Sequence, residues 1–306
     1  MGPEERYRAA QDRLLAAHGV VSDSRFVELP WRGLRTHVLE SGTGTPLLFV
    51  VGGGSFAASW APLLARIPDR RLIAVDRPGF GLTQMVEHKP ATIREDAVGF
   101  LVGVLDALEL ERATFVSNSM GSLWTLWLAH DRPDRVAGMV HVGCPALLPD
   151  TGAPMPMRLL SVPGLGRALV AVMPSGLRQV ENVHDMMNEK EAVEADPALA
   201  DATLATMQLP SFGPALHALM HSVLTIRGPR KDVRFTAEQL RNVPQPVQLV
   251  WGDNDPFGSV ESGRRAASLL PNARFEVVPG GHLPWLDSPD QVAEHVQAFL
   301  ASPTGW

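Results

Sequence analysis

The stretch Thr114-Phe115-Val116-Ser117-Asn118-Ser119-Met120-Gly121-Ser122 joins a strand pattern to a helix pattern. Its first residues form an apolar run that predicts a buried strand, and the run Leu123–His130 behind it predicts a helix. A serine in a sharp turn between a strand and a helix has a strained backbone that lifts its hydroxyl above the sheet edge. The sequence therefore makes Ser119 the candidate nucleophile.

The neighbours of Ser119 fit such a turn with one departure. The usual pattern is G-x-S-x-G, because small residues two positions before and after the serine let the strand and helix cross closely. Here Gly121 matches the second glycine, and Ser117 replaces the first. A polar strand-to-helix turn in any α/β protein would look similar, so the assignment needs support from the rest of the chain.

The composition is that of a globular protein, with 45% hydrophobic and 20% charged residues among 306. A net charge of −6 offers no electrostatic basis for binding nucleic acid. No stretch approaches ~18 uninterrupted apolar residues, so we expect no membrane span, and the N-terminus lacks a signal-peptide pattern. The single cysteine, Cys144, suits a buried apolar position in a reducing, cytoplasmic compartment.

Strand and helix patterns alternate along most of the chain. Strands are predicted at Arg25–Trp31, Arg35–Glu40, Leu47–Val51, Arg71–Val75, Val136–Val142, Pro246–Trp251 and Ala273–Val278. Helices are predicted at Glu4–His18, Ile93–Leu108, Val260–Leu270 and Asp290–Ala301. The first two strands suggest an antiparallel hairpin, and the later alternation predicts an α/β fold with a mostly parallel, doubly wound β-sheet and helices on both faces.

The alternation breaks between residues 149 and 241, which read as helices separated by proline and glycine. We expect this segment to be a helical lid on a core domain made of residues 1–148 and 242–306. Seven of the eleven methionines lie in the segment: Met155, Met157, Met173, Met186, Met187, Met207 and Met220. Methionine side chains suit an adaptable apolar wall, although each is equally compatible with ordinary packing between helices.

A serine nucleophile needs a base, an acid that orients the base, and donors for an oxyanion. These groups are expected at the carboxyl ends of strands, and Asp255 and His282 each follow a predicted strand. The order Ser, Asp, His along the chain is the one used on this type of sheet. Asp253 is a competing acid, but the spacing from Gly252 and the following Pro256 favour Asp255.

The backbone N–H groups of Gly53 and Met120 are the candidate oxyanion donors. Each residue stands where the chain leaves a predicted strand, which is the geometry that the site needs. Gly53 belongs to the run Gly52-Gly53-Gly54, whose backbone is able to approach a ligand closely. The run is not a phosphate loop, because no Gly-Lys-Ser/Thr follows it.

With these residues in place, the chain resembles the α/β-hydrolase superfamily, in its lid-bearing serine hydrolase branch. Asp76–Thr83 is similar to the family's D-x-P-G-x-G-x-S/T segment, and Gly52–Trp60 resembles its oxyanion loop. The segments Gly252–Pro256 and Gly281-His282 resemble those that carry the family's acid and base. Val51 stands where the family usually has a structural histidine, which puts the rigidity of the oxyanion loop in question.

The resemblance implies hydrolysis of a carboxylic ester, thioester or lactone through an acyl-enzyme, with no cofactor or metal. C–C bond hydrolases of ring-fission diketones are the main alternative, since their Gly-Asn-Ser-Met-Gly elbow resembles Asn118–Gly121. The lid arginine of those enzymes has three competing matches here, Arg158, Arg167 and Arg178. Haloalkane dehalogenases and epoxide hydrolases use an aspartate nucleophile, so Ser119 argues against both. A ligand-binding, lyase or oxygenase member of the fold stays open, because fold alone does not choose.

We expect a largely apolar pocket for a small hydrophobic substrate. The candidate wall residues are Phe56, Trp285, Met186 and Met187, each of which is equally compatible with a core position. His217 and His221 lie four apart on a predicted helix and would suit a metal pair, but a helix-surface position explains them better. The expected assembly is a monomer or homodimer.

Overall fold

The computed structural model describes residues 1–173 and 176–302. Its strands are β1 (Asp23–Leu29), β2 (Leu34–Ser41), β3 (Pro46–Val50), β4 (Arg71–Val75), β5 (Ala113–Ser117), β6 (Val136–Val142), β7 (Leu224–Thr225), β8 (Gly228–Pro229), β9 (Val247–Gly252) and β10 (Ala273–Val278). Eight of these strands form one sheet in the order β1-β2-β4-β3-β5-β6-β9-β10. β2 runs antiparallel to β1 and β4, and the other neighbours in this sheet are parallel. The predicted α/β fold with a mostly parallel sheet is confirmed.

Helices fill the crossovers that parallel strands require. They are α1 (Pro3–Ala17), α2 (Ala61–Leu64), α3 (Ile93–Ala107), α4 (Ser119–Asp131), α5 (Met155–Leu160), α6 (Leu165–Ala171), α7 (Leu177–Asp185), α8 (Lys190–Ala195), α9 (Pro197–Met207), α10 (Phe212–Val223), α11 (Ala237–Arg241), α12 (Val260–Leu269) and α13 (Pro289–Ala301). Short 3₁₀ turns lie at Ala57–Trp60 and Pro133–Arg135. In the described part of the chain, no helix combines the length and the apolar character needed to cross a membrane.

The central strands carry the continuous apolar runs that predicted them. Every residue of β9 is buried, as are four of the five residues of β3 and of β4. A strand that is covered on both faces buries all of its side chains, which explains why these runs do not alternate with polar residues. The loops that follow β3, β5, β6 and β9 therefore start from the rigid centre of the molecule.

The segment between β6 and β9 holds the helices α5 to α11 and adds no strand to the eight-stranded sheet. The very short strands β7 and β8 pair with each other inside it, which corrects the expectation of a segment without strands. The N-terminal helix α1 packs against α9, where Arg13 pairs with Asp201 and His18 Nε2 lies 2.7 Å from Asp196 Oδ2. The N-terminal helix thus links the inserted helices to the rest of the chain.

Candidate active site

Ser119 is the first residue of α4 and lies in the tight turn that follows β5. Its φ of 50° lies in the left-handed region, a conformation that costs a residue with a side chain on the order of 1–3 kcal/mol. A Cβ added to Gly121 would lie 2.2 Å from the Val50 carbonyl oxygen, so only glycine permits this close crossing of helix and strand. The half-buried Ser119 faces the cavity described below.

Ser117, which replaces the usual first glycine of the turn, is buried in a small polar cluster. Its Oγ lies 3.2 Å from Thr125 Oγ1 and 3.0 Å from His141 Nδ1. Burial lowers the pKa of His141 to about 3, so the imidazole is neutral. The larger side chain is therefore accommodated by hydrogen bonds beneath the turn, outside the cavity.

The loops after β9 and β10 bring Asp255 and His282 together. The His282 Nδ1 lies 2.9 Å from Asp255 Oδ2 and 3.1 Å from Oδ1. The same carboxylate accepts hydrogen bonds from the Cys144 N–H at 2.8 Å and the Phe257 N–H at 2.9 Å. These two N–H groups fix the carboxylate from outside the pair, and neither was anticipated from the sequence.

The competing acid, Asp253, is exposed, and its Oδ1 accepts a hydrogen bond from the Gly280 N–H. It braces the turn after β9 without contacting the imidazole. The His282 ring is stacked on Phe257 with centroids 4.0 Å apart. Because Asp255 holds Nδ1 and Phe257 covers one face, the ring orientation is fixed.

The side chain of Asn118 links the turn of Ser119 to the loop of His282. Its amide Nδ2 donates to the Val142 carbonyl at 2.8 Å and to the His282 carbonyl at 3.0 Å. One side chain thus spans the ends of two strands and the loop that carries His282. This explains structurally why an amide residue precedes Ser119.

The Gly52–Gly54 loop after β3 lies beside the start of α4. A Cβ on Gly53 would be 3.5 Å from Met120 Cγ, and one on Gly52 would be 3.1 Å from Ser119 Cβ. The first N–H groups of a helix have no partner within the helix, which leaves the Met120 N–H available. The two residues predicted as oxyanion donors are therefore neighbours at the site.

Arg77 anchors the Gly52–Gly54 loop by hydrogen bonds to backbone carbonyls. Its guanidinium donates to the Val51 carbonyl at 2.9 Å and to the Gly52 carbonyl at 2.6 Å. The group is buried and lies over the Trp124 ring at 4.8 Å. Burial lowers the pKa of Arg77 to about 9, which keeps it charged at neutral pH. Arg77 supplies a rigid anchor for a loop that lacks the usual histidine at position 51.

Asp76 organises the same region through its carboxylate. It accepts hydrogen bonds from the Ala57 N–H at 2.7 Å and the Leu82 N–H at 3.0 Å, and lies 2.7 Å from His37 Nδ1. A Cβ on Gly81 would overlap this carboxylate, at 2.0 Å from Oδ2. The motif Asp76–Thr83 is thus a buried hub that holds the oxyanion loop against β2.

Ser119 and His282 line one cavity of about 600 Å³, together with Gly53, Met120 and Phe257. Three of the candidate wall residues, Phe56, Met186 and Met187, line this cavity, and so do four further methionines of the inserted segment: Met157, Met173, Met207 and Met220. The wall is mostly apolar, and its residues in the described part of the chain include no Arg, Lys, Asp or Glu. Burial lowers the pKa of His184, another wall residue, so that imidazole is neutral too.

Two residues that were candidates for the cavity wall do not line the cavity. Trp285 is stacked on Trp60 with ring centroids 4.0 Å apart, and its indole N–H donates to the Ser59 carbonyl at 2.8 Å. It is therefore a core residue beneath the site and does not line the cavity. Met155, among the methionines considered for the wall, is 54% exposed on the surface.

His217 and His221 do not form a metal pair. Their Nδ1 atoms lie 2.9 Å from the Leu160 and Ser161 carbonyl oxygens, so both rings tie α10 to the end of α5. Among the described residues, no group of three or more His, Cys, Asp or Glu side chains is arranged to hold a metal ion. Cys144 is buried, and burial with the nearby Asp255 raises the pKa of its thiol, as expected for a packing residue.

The fold and the Ser-His-Asp arrangement are those of an α/β hydrolase, and comparison with known proteins agrees. The model of the alpha/beta hydrolase family matches residues 47–295, so the chain belongs to this family. A 2-hydroxymuconate semialdehyde hydrolase of Pseudomonas sp. (strain CF600) is 40% identical over 267 residues, covering 78% of this chain and 89% of the relative.

Two solved structures show the likeness of fold. Carboxylesterase CesB from Bacillus subtilis superposes with a TM-score of 0.79 at 23% identity, covering 99% of this chain and all of that one. The meta-cleavage product hydrolase CumD from Pseudomonas fluorescens superposes with a TM-score of 0.72 at 20% identity, covering 92% and 99% of the two chains. Proteins of this fold thus include a carboxylesterase and a meta-cleavage product hydrolase.

Proposed function

We propose that this chain is a serine hydrolase that cleaves an uncharged carboxylic ester, thioester or lactone of a small hydrophobic substrate. The observation that carries the proposal is one apolar cavity reached by Ser119 and by an imidazole whose Nδ1 is held by Asp255. A nucleophile, a fixed base and neighbouring backbone N–H groups are the parts that acyl transfer needs.

In this mechanism the Ser119 hydroxyl oxygen attacks the substrate carbonyl carbon. His282 accepts the hydroxyl proton at Nε2, because its Nδ1–H is engaged by Asp255. The N–H groups of Gly53 and Met120 stabilise the oxyanion. The protonated His282 then gives its proton to the leaving alkoxide or thiolate. Water next attacks the acyl-enzyme with His282 again as the base, which releases the carboxylic acid and restores Ser119.

We also propose that residues 149–241 form a lid over the site. The cavity wall supports this division, since its residues come from loops of the sheet and from the inserted helices α5, α6, α7, α9 and α10. Met157 and Met207 come from the inserted helices, whereas Ser119 and His282 follow strands of the sheet. Water exclusion by such a cover would strengthen the electrostatic interactions within the site.

The uncharged wall favours a neutral substrate. Burying a carboxylate without a cationic partner costs several kcal/mol. None of Arg158, Arg167 and Arg178 lines the cavity: Arg158 donates to the Ala153 carbonyl at 2.7 Å, and the other two are exposed. A substrate that carries a free carboxylate would therefore bind poorly.

C–C bond hydrolysis is the second candidate, because the sequence at Asn118–Gly121 and the 40% identical Pseudomonas relative favour it. The substrate in that relative's name is a carboxylate. A carbon leaving group also needs conjugation to a carbonyl that delocalises its negative charge. The lack of a cationic side chain on the described cavity wall is the reason why ester hydrolysis ranks first.

Cytoplasmic location and independence from cofactors are further parts of the proposal. The one cysteine of the chain, Cys144, is a buried thiol, which is compatible with a reducing compartment. The mechanism above uses groups of the protein alone. Activity that is unchanged after exhaustive dialysis against a chelator is the expected result, and reactivation by an added metal would contradict it.

The test combines labelling by a fluorophosphonate with hydrolysis of nitrophenyl esters of increasing acyl length. Ser119→Ala should abolish labelling and lower kcat by about 10⁴-fold or more, because the triad acts as a unit. Ser122→Ala, a buried serine one helical turn further along α4, is the matched control and should keep both signals. Labelling that persists in Ser119→Ala would show that another residue is the nucleophile.

The substrate class is tested with a neutral acyl ester and an ester of equal length that ends in a carboxylate. We expect the neutral ester to have a kcat/KM at least about 10²-fold higher, from the cost of burying an unpaired charge. A carboxylated ring-fission dienoate is assayed beside them. If its kcat/KM exceeds that of every ester, C–C hydrolysis is the function.

A further inference from the structure

Three of the four residues between α7 and α8, Met187-Asn188-Glu189, lie against both loops that carry the acid and the base. We name them the docking segment. The Met187 carbonyl accepts a hydrogen bond from the His282 N–H at 3.0 Å. The Asn188 side-chain amide donates to the Asn254 carbonyl at 2.7 Å, next to Asp255. The inserted helices are thus joined by hydrogen bonds to the acid–base pair.

Glu189 adds a side-chain contact to the same loop. Its Oε1 accepts a hydrogen bond from the N–H of Leu283, the residue after His282. The two N–H groups that flank the His282 side chain are therefore both bound by the docking segment. Glu189 is only 1% exposed although it precedes a short surface helix, so this contact lies away from solvent.

Gly281 shows how close the contact is. A Cβ at this position would lie 2.2 Å from the Met187 carbonyl oxygen and 2.9 Å from Glu189 Oε1. Asn188 has a φ of 58°, a left-handed conformation that asparagine tolerates better than most residues. The close approach at Gly281 and the left-handed conformation of Asn188 occur where the two loops meet.

The carboxyl group of Glu189 is in an environment that disfavours its charge. Burial and the neighbouring Asp287 carboxylate raise the pKa of Glu189 to about 10, and Asp255 acts in the same direction. Its Oε2 is buried without a hydrogen-bond partner among the described residues, which is costly for a carboxylate. At neutral pH the group is therefore a neutral carboxylic acid.

We propose that Glu189 is a positioning residue for the base: its Oε1 accepts a hydrogen bond from the Leu283 N–H and thereby fixes the loop of His282 against Asp255. The inference rests on the proposed function, since it assumes that His282 is the base. It gives the inserted helices a role in assembling the acid–base pair in addition to covering the cavity.

Three variants separate this role from a merely structural one. Glu189→Gln keeps an acceptor for the Leu283 N–H and carries no charge, whereas Glu189→Leu keeps the volume and removes the acceptor. Glu191→Ala, an exposed glutamate two residues further on in α8, is the matched control. Active sites are counted by fluorophosphonate labelling, so that kcat is expressed per competent site and unfolded protein does not contribute.

We expect Glu189→Leu to lower kcat by about 10–100-fold with KM changed less than about threefold, because a small displacement of a catalytic group has effects of this size. Glu189→Gln and Glu191→Ala should keep kcat within about threefold of wild type. A Gln variant as impaired as the Leu variant would overturn the proposal, since it would mean that a charged carboxylate is required. An unimpaired Leu variant would overturn it as well.

A second readout does not depend on hydrolysis. In protein labelled with ¹⁵N-histidine, the Nδ1–H of His282 should give a downfield proton resonance because it is hydrogen-bonded to Asp255. The resonance should be kept in the Gln variant and shifted or broadened in the Leu variant. If the wild type shows the resonance but hydrolyses no ester, the proposed function fails while this comparison still decides the role of Glu189. An unchanged resonance in the Leu variant would overturn it.

Discussion

The two sides of the site are held in different ways. On the side of Ser119, the proposed nucleophile, Arg77 binds the Gly52–Gly54 loop, Asp76 binds the Ala57 N–H that follows it, and Gly121 lets α4 cross β3 closely. On the side of His282, the proposed base, the loop is bound by the docking segment of the inserted helices. We call these the nucleophile side and the base side. Movement of the inserted helices would therefore disturb the loop of His282 before it disturbed Ser119 or the Gly52–Gly54 loop.

The largest loss of activity is expected from substitution of the proposed acid, Asp255. Asp255→Asn should lower kcat by about 10⁴-fold, because an amide at this position no longer holds the imidazole in the tautomer that accepts a proton. Asp253→Asn is the control, since that exposed carboxylate braces only the turn after β9. Steady-state ester hydrolysis measures both. Equal losses in the two variants would mean that the acid has been misassigned.

The next largest loss of activity is expected when the hydrogen bonds that hold the nucleophile side are removed. Arg77→Met removes the hydrogen bonds to the carbonyls of Val51 and Gly52. The Gly52 carbonyl keeps the Ser55 N–H at 3.4 Å, whereas loss of the partner of the buried Val51 carbonyl costs about 1–3 kcal/mol. We expect kcat to fall by about 10²-fold through a displaced oxyanion donor, as is usual when one such donor is lost. The melting temperature should fall as well.

Arg77→Lys is the matched variant, because it keeps a positive charge but cannot donate to both carbonyls in the same planar geometry. It should lie between wild type and Arg77→Met in kcat. The His282 resonance should stay at its wild-type position in both variants, since the base side is untouched. A shift of that resonance would show that the two sides are not held independently.

A smaller loss of activity is expected when the contact between the docking segment and the loop of His282 is loosened without changing a polar group. Gly281→Ala places a Cβ against the Met187 carbonyl, so the docking segment or the loop of His282 has to move. We expect kcat to fall by about 10-fold, less than for loss of a reacting group. Gly176→Ala is the control, as a Cβ there meets nothing within 4 Å. The same kcat in both variants would argue against tight docking.

The features of the structure that were predictable from the sequence are those determined by residues close to one another in the chain. The sheet followed from apolar runs, and the Asp76–Thr83 motif needs glycine at positions 79 and 81, where φ is 82° and 51°. Asp255 was favoured over Asp253 by its spacing from Gly252 and by the following Pro256, and its hydrogen bond with His282 Nδ1 agrees with that choice. In each case the physical constraint acts between residues that are close in the chain.

The supports of the site were not predictable, because they depend on contacts between distant segments. Arginine is mostly exposed in proteins, so nothing in the sequence marks Arg77 as a buried anchor. Glu189 lies in a polar stretch 93 positions before His282, and nothing in the sequence marks it as buried. Trp285 was a candidate for the cavity wall and equally for the core. Its indole N–H donates to the Ser59 carbonyl and its ring stacks on Trp60, which makes it a core residue.

The smallest expected effect is a pH dependence of the free energy of unfolding, which arises from Glu189 on the base side. The Glu189 carboxyl has an ordinary pKa of 4.5 and a folded-state pKa of about 10. Between these values the folded chain binds more protons than the unfolded chain, so the free energy of unfolding falls as the pH rises. The stabilisation is fully present below about pH 4.5 and is lost toward pH 10.

Glu189→Gln cannot titrate and should lack this contribution. The melting temperature of the variant minus that of wild type should therefore become more positive between pH 5 and pH 9. A rise of at least about 2 °C is expected, the shift that 1 kcal/mol produces in a domain of some 250 residues. Asp287 and Asp255 face the same group and are present in both proteins. A difference that is constant across this range would show that Glu189 is ionised in the folded protein, and the base side would then be held by a charge.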